Sequence, residues 1–323
     1  MVLAGNNGEH KKFVGPYQGA YAPDQPRQAA RSIGPGRSKP RRLTVPELIA
    51  QLQSPTRTTR ASAAKHLLRE FRPHDPKDEH PEIIDPLSRI LRSDLEADVR
   101  SAAAAMLGSY GDAGAISPLI NALDDGALTG ITLSALFYLA IYIKDSRIAD
   151  AMVRLLETPR VLFDTQHAIR ILEELKDARV AVIGLRLLDQ APVILPHVEG
   201  VADRTHAEAY HRSSVRNLGA FAFAKFAMNA TEELVKRLTH ADAGVRAAST
   251  AALRDCPNRG PHLAPFLTPL LNDVDAGVRQ QAFMTLRCLE PAPQVEISTA
   301  RLAEIEAQVV AQLERASRSQ GRF

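Results

Sequence analysis

Ten histidines and two cysteines are the residues to weigh first for chemistry. His74, Asp75, Asp78, Glu79 and His80 crowd into PHDPKDEHP, a Pro-flanked loop whose bends could turn nitrogen and oxygen ligands toward one metal ion. Two histidines six residues apart in so polar a loop are equally well accommodated as solvated side chains, and no metal site is assigned. His206 and His211 stand on a predicted helix, about 140° apart around its axis, so they lack the i, i+4 geometry of a helical ligand pair. Cys256 and Cys288 lie 32 residues apart with neither CxxC nor Cys/His ligand spacing. A reducing compartment fits them, and MVLAGNNGEHKKF has no secretory signature, so a cytoplasmic location is expected. There is no GxxxxGK[ST], GxGxxG or GxSxG. No catalytic residue, cofactor site or metal ligand is assigned, and a non-enzymatic role is expected.

The elements that would position any site are easier to read. The 323 residues are 45% hydrophobic and 24% charged, but only 5% aromatic, with no Trp and an abundance of Ala and Leu. That excludes disordered, collagen-like and disulfide-scaffold classes and disfavours a β-sandwich. The net charge of +3 is uneven. Residues 1–43 carry eight basic and two acidic side chains, +6, so the remainder is −3. The body therefore lacks the basic average that phosphate binding favours.

Segment 1–43 also holds five prolines and six glycines without an apolar period. It is expected to be a disordered or extended N-terminal tail. Phe13, Tyr17 and Tyr21 recur every four residues, and Arg37, Lys39, Arg41 and Arg42 follow. An ordinary linker would account for this composition. So would a docking peptide with aromatic anchors and basic flanks, and we carry these seven residues forward as the candidate partner-binding set.

From residue 44 the chain repeats. EADVRSAAAAMLG (96–108), DAGVRAASTAALR (242–254) and DAGVRQQAFMTLR (275–287) share an acidic residue, spacers, Val-Arg and a run of small residues, and TRTTRASAAKHLL (56–68) is a weaker copy. Each follows another segment of 3.6-residue period, giving about seven antiparallel helix pairs. Glu96, Asp242 and Asp275 are placed to cap second helices. The apolar face of one pair cannot be covered by that pair alone, so the pairs must stack.

The uncharged run Gly126–Ile143 is 18 residues, near the minimum for a membrane span, but its Gly, Thr, Ser and Tyr content and charged flanks predict a helix enclosed between the second and fourth pairs. The fifth pair is interrupted by an insertion over 189–203 with Pro192, Pro196 and Gly200, followed by a helix of about 25 residues capped by Asp203. Insertions of this kind often project and bind. After Pro293 a terminal helix with a Leu302, Ile305, Val309 and Leu313 stripe reads as a solenoid cap or, alternatively, an oligomerisation element.

The Asp-x-x-Val-Arg unit followed by small residues and Leu-Gly resembles HEAT repeats, specifically the short bacterial HEAT-like repeats named from phycobilisome lyase subunits. The resemblance covers roughly 44–291. It implies an all-α, right-handed α-solenoid, with 1–43 as a tail, 44–291 as the repeats and 292–323 as a C-terminal cap and short tail. It also implies that the repeated arginines tie adjacent repeats through an acidic ladder. Asp94 with Arg100 and Asp273 with Arg279 share a six-residue spacing, and Arg60 and Arg246 occupy the same position of the unit. The other reading of that arginine row is an anion-binding stripe. No His-Glu dipeptide occurs, so the iron motif of the HEAT-like deoxyhypusine hydroxylases is missing.

Three functions compete. The first is a protein–protein scaffold or assembly subunit using the solenoid groove and the tail. The second is a nucleic-acid binder related to HEAT-like glycosylases, which the missing Trp and the acidic body disfavour. The third is a bilin lyase-like chromophore-handling subunit, for which no chromophore residue can be named.

Overall fold

The computed structural model describes residues 44–70, 84–109, 113–192, 204–289 and 298–320. Segment 1–43, the His74–His80 cluster and residues 193–203 of the insertion lie outside the described residues. The described chain is helical throughout, with no strand among the described residues.

The helices follow one another as seven pairs and a terminal helix. They are α1 (Val45–Leu52) with α2 (Arg57–Glu70), α3 (Ile84–Ser93) with α4 (Ala97–Ser109), and α5 (Ile116–Asn121) with α6 (Thr129–Ile143). Then come α7 (Ser146–Glu157) with α8 (Leu162–Glu174), and α9 (Arg179–Gln190) with α10 (Arg204–Phe226). The last pairs are α11 (Ala230–Lys236) with α12 (Ala243–Ala252), and α13 (Ala264–Leu267) with α14 (Ala276–Arg287), before α15 (Thr299–Gln320).

Local chemistry sets these boundaries. Thr44 N–H donates to Glu47 Oε2 at 2.8 Å, half of a capping box at the start of α1. Asp145, Asp242 and Asp275 accept N–H donors of the first turns of α7, α12 and α14. Glu96 directs its carboxylate to Arg57 at 2.9 Å. Pro265 and Pro269 have no N–H to donate, and the first helix of the last pair is reduced to four residues flanked by 3-10 turns.

Stacking follows from what each pair leaves uncovered. The second helices α2, α4, α6, α8, α10, α12 and α14 each touch the next, and α15 closes against α14. The first helices α1, α3, α5, α7 and α9 do the same on the other side. Small residues permit close approach: a β-carbon on Gly108 of α4 would stand 2.5 Å from Ala135 Cβ of α6. The buried side chains form two cores that meet at the fifth pair. Ile183 and Leu187 of α9 belong to one, and Ala181 and Leu188 to the other. In α15, Leu302 and Ile305 are buried as a cap requires, while the side chains of Val309 and Leu313 lie outside the described residues.

Candidate protein-binding surface

The Val-Arg dipeptide that marks the repeat turns out to join one repeat to the next. Arg60 Nε lies 2.8 Å from Asp94 Oδ2, and Arg100 Nη2 donates to Asp125 Oδ2 at 2.9 Å. Arg246 grips Asp273 with Nε and Nη2, both at 2.8 Å, and Arg279 Nη2 donates to Glu304 Oε1 at 2.8 Å. Arg216 does the same with Asp242, Nη1 to Oδ1 at 3.0 Å. Each link spans adjacent units, with one planar guanidinium answering one carboxylate.

The six-residue spacings work differently from the expectation. Arg100 and Arg279 use Nη1 to donate to the main-chain carbonyls of Asp94 and Asp273, each at 2.8 Å, and so satisfy oxygens at the end of the preceding first helix. The carboxylates of Asp94 and Asp273 turn the other way. Each accepts the N–H two residues on, from Glu96 at 2.9 Å and Asp275 at 2.8 Å, and each faces the arginine of the repeat before. Arg246 holds Asp273's carboxyl below the usual carboxylate range by hydrogen bonding to its charged form. Arg216 was not singled out in the sequence, although its Val215-Arg216 dipeptide carries the same signal.

The row is interrupted in the middle. α6 has no charged residue over Thr129–Ile143, and the first charged residue of α8 is Asp164. Ties at the opposite end take over: Lys144 Nζ meets Glu174 Oε1 at 2.5 Å, and Lys225 Nζ lies 3.5 Å from Glu173 Oε2. Asp164 is half-buried and makes no ion pair among the described residues. Burial pushes its carboxyl up, against the pull of nearby Arg160 and His167.

At this interruption α6 packs between α4 and α8, as expected, but leaves two rings open. Leu133, Leu136, Leu139 and Ala140 are fully buried, but Tyr138 is 36% and Tyr142 53% exposed. They stand i, i+4 on one face, and Phe163 of α8, 46% exposed, lies beside Gly130 at the opposite end of α6. Lack of charge implied cover on most sides, and a tyrosine on the remaining side can keep its ring against a neighbour and its hydroxyl in water. One stack ties this surface across the two helices and a second lies within α8. Arg170 of α8 lies 4.9 Å over the Phe137 ring of α6, and His167 packs on Phe163 at 4.1 Å while its Nδ1 meets the Phe163 carbonyl at 3.0 Å.

Of the residues expected to bind a partner, Phe13, Tyr17, Tyr21, Arg37, Lys39, Arg41 and Arg42 all lie outside the described residues. Among the described residues no group of His, Cys, Asp and Glu could hold a metal ion, and no helix is long and apolar enough to cross a membrane. His211 is half-buried on α10; the side chain of His206 lies outside the described residues. Cys256 is buried, which pushes its thiol up, and Cys288 is exposed. A cleft of about 260 Å³ between the second and third pairs is lined by Arg92, Asp94, Arg100 and Asp125, and both aspartates are already paired.

Residues 45–140 match the family model for HEAT repeats. That segment carries HEAT repeats. No curated protein matches it. Among solved structures, the chain is similar to a mutant of Kap121p, with 14% identity over 76% of this chain and 29% of that one, at a TM-score of 0.50. Unmutated Kap121p gives 15% identity over 74% of this chain and 28% of that one, at 0.48. The complex of CpcE and CpcF of phycocyanin lyase from Nostoc sp. PCC7120 gives 18% identity over 85% of this chain and 97% of that one, at 0.41. The HEAT solenoid spans under a third of either Kap121p chain, and the likeness is one of fold.

Proposed function

We propose that this HEAT solenoid is a non-catalytic protein-binding scaffold that engages its partner on the second-helix face of the third and fourth pairs, with segment 1–43 as a further binding element. The observation that carries this reading is the exposure of three aromatic rings, Tyr138 and Tyr142 of α6 and Phe163 of α8, at the interruption of the arginine row. Elsewhere the repeated arginines are spent on holding repeats together, which favours structural pairing over an anion-binding stripe. Exposed aromatic rings on a rigid helical frame suit partner binding, because few rotamers are lost when they are covered.

The experiment is a capture comparison of the full chain, residues 44–323 alone, and a Tyr138→Ser, Tyr142→Ser, Phe163→Ser triple variant. The full chain is expected to retain partners that the triple variant loses and that 44–323 holds more weakly. Identical partner sets for all three would overturn both parts of the reading.

A further inference from the structure

The repeated arginines of the second-helix row are each neutralised by a carboxylate. Arg60, Arg100, Arg216, Arg246 and Arg279 serve the inter-repeat links, and Lys144 and Lys225 pair with Glu174 and Glu173. Arg170, farther along α8, is outside this set, as are Arg254 and Arg287 at the ends of α12 and α14. Arg170 is exposed, it makes no ion pair among the described residues, and its guanidinium is held over the Phe137 ring. Stacking of this kind fixes the plane of the fork and leaves the N–H groups at its edge open to a carboxylate. α6 offers no acid to answer it. Asp164, the acid on the first turn of α8, has Arg160 and His167 as its cationic neighbours instead.

The geometry points to an extended acidic peptide as the occupant of this face: apolar side chains against Tyr138, Tyr142 and Phe163, and one Asp, Glu or terminal carboxylate on Arg170. The inference rests on the scaffold reading and gives its partner a chemistry. Charge complementarity selects the carboxylate, because an unneutralised arginine held against α6, which carries no charge of its own, fits a single anionic group. A nucleic acid would stack its bases on the same rings, but its backbone needs a row of free cations, and the repeated arginines Arg60, Arg100, Arg216, Arg246 and Arg279 are already committed to carboxylates.

The test is selection of random dodecapeptides displayed on phage against the full chain, followed by measurement of the dissociation constant of the best synthetic peptide. Selected peptides are expected to share an acidic residue beside aliphatic or aromatic ones. Arg170→Gln is expected to weaken binding about tenfold, roughly 1.4 kcal/mol, with an unchanged thermal midpoint, and Tyr142→Ser to weaken it as well. Selection on Arg170→Glu should exchange the acidic residue for Lys or Arg. Peptides that bind but ignore both Arg170 and Tyr142 would overturn this inference and leave the scaffold reading to another surface. Displacement of the peptide by oligothymidylate would overturn it in favour of nucleic acid. Enrichment of no peptide would overturn it outright, whereas the scaffold reading would still stand or fall on capture of folded partners.

Discussion

Gly184 of α9 and Gly219 of α10 meet backbone to backbone at the seam between the two cores. A β-carbon on Gly184 would stand 2.6 Å from the Gly219 carbonyl oxygen, and one on Gly219 would stand 2.5 Å from the Gly184 carbonyl oxygen. Inside a helix, Gly→Ala ordinarily stabilises by about 1 kcal/mol. Here the added methyl strikes main chain that cannot rotate away, so Gly184→Ala and Gly219→Ala are each expected to cost about 1–3 kcal/mol. The thermal midpoint should fall by several degrees. Gly130→Ala, whose methyl would meet only Phe163 Cε1 at 3.4 Å, should hold or raise it.

Leu136 and Tyr138 lie two residues apart on α6 and have opposite surroundings. Leu136 is 0% exposed, so Leu136→Ala should cost about 2–5 kcal/mol, and Leu136→Asp should prevent folding by burying an unpaired charge. Tyr138→Ser, on the uncovered face, should change denaturant stability far less. Equal losses at both positions would mean that the aromatic face is covered.

The Arg246–Asp273 pair can be measured by a double-mutant cycle. Their side chains are 12% and 9% exposed, and a coupling of about 1–3 kcal/mol is expected at neutral pH. Arg301–Glu304, at 31% and 42%, is screened by solvent and should give a much smaller coupling. Because Asp273's folded pKa is depressed, its contribution is present above the unfolded carboxylate value of about 3.9. It is lost as pH falls through the lower folded value. A coupling that persists in strong acid would contradict the assignment.

Asp164 has the opposite sign. Burial raises its folded pKa, so its contribution to stability is lost as pH rises through that value. Asp164→Asn is therefore expected to be more stable than the parent at pH 7, with the advantage vanishing below about pH 3.9. If the favourable interaction of the carboxylate with the first turn of α8 prevailed, the variant would be less stable at pH 7.

The seven pairs were legible because the repeat announces itself twice, in the 3.6-residue period and in the Val-Arg dipeptide. Asp242 and Asp275 were legible as caps because an N-cap is a local interaction. The direction of the arginine links was not, since Asp94 stands six residues from Arg100 in sequence while its carboxylate meets Arg60 from the previous repeat. The open face of α6 was hidden for a different reason. Periodicity separates polar from apolar faces, and this helix has no charged face to separate, so Tyr138 and Tyr142 read as core. Of the candidate site, the arginine links could be found from composition and spacing, whereas the aromatic surface required knowing which neighbours α6 lacks.

Site-specific photocrosslinking in cells tests the central claim most directly. A benzophenone amino acid placed at Tyr142, 53% exposed on the second-helix face, is compared with one at Val182, 73% exposed on α9. The account expects discrete protein adducts from position 142 that disappear in the Phe163→Ser, Arg170→Gln background, and none from position 182. Adducts from 182 alone, or adducts from 142 that persist in that background, would contradict it.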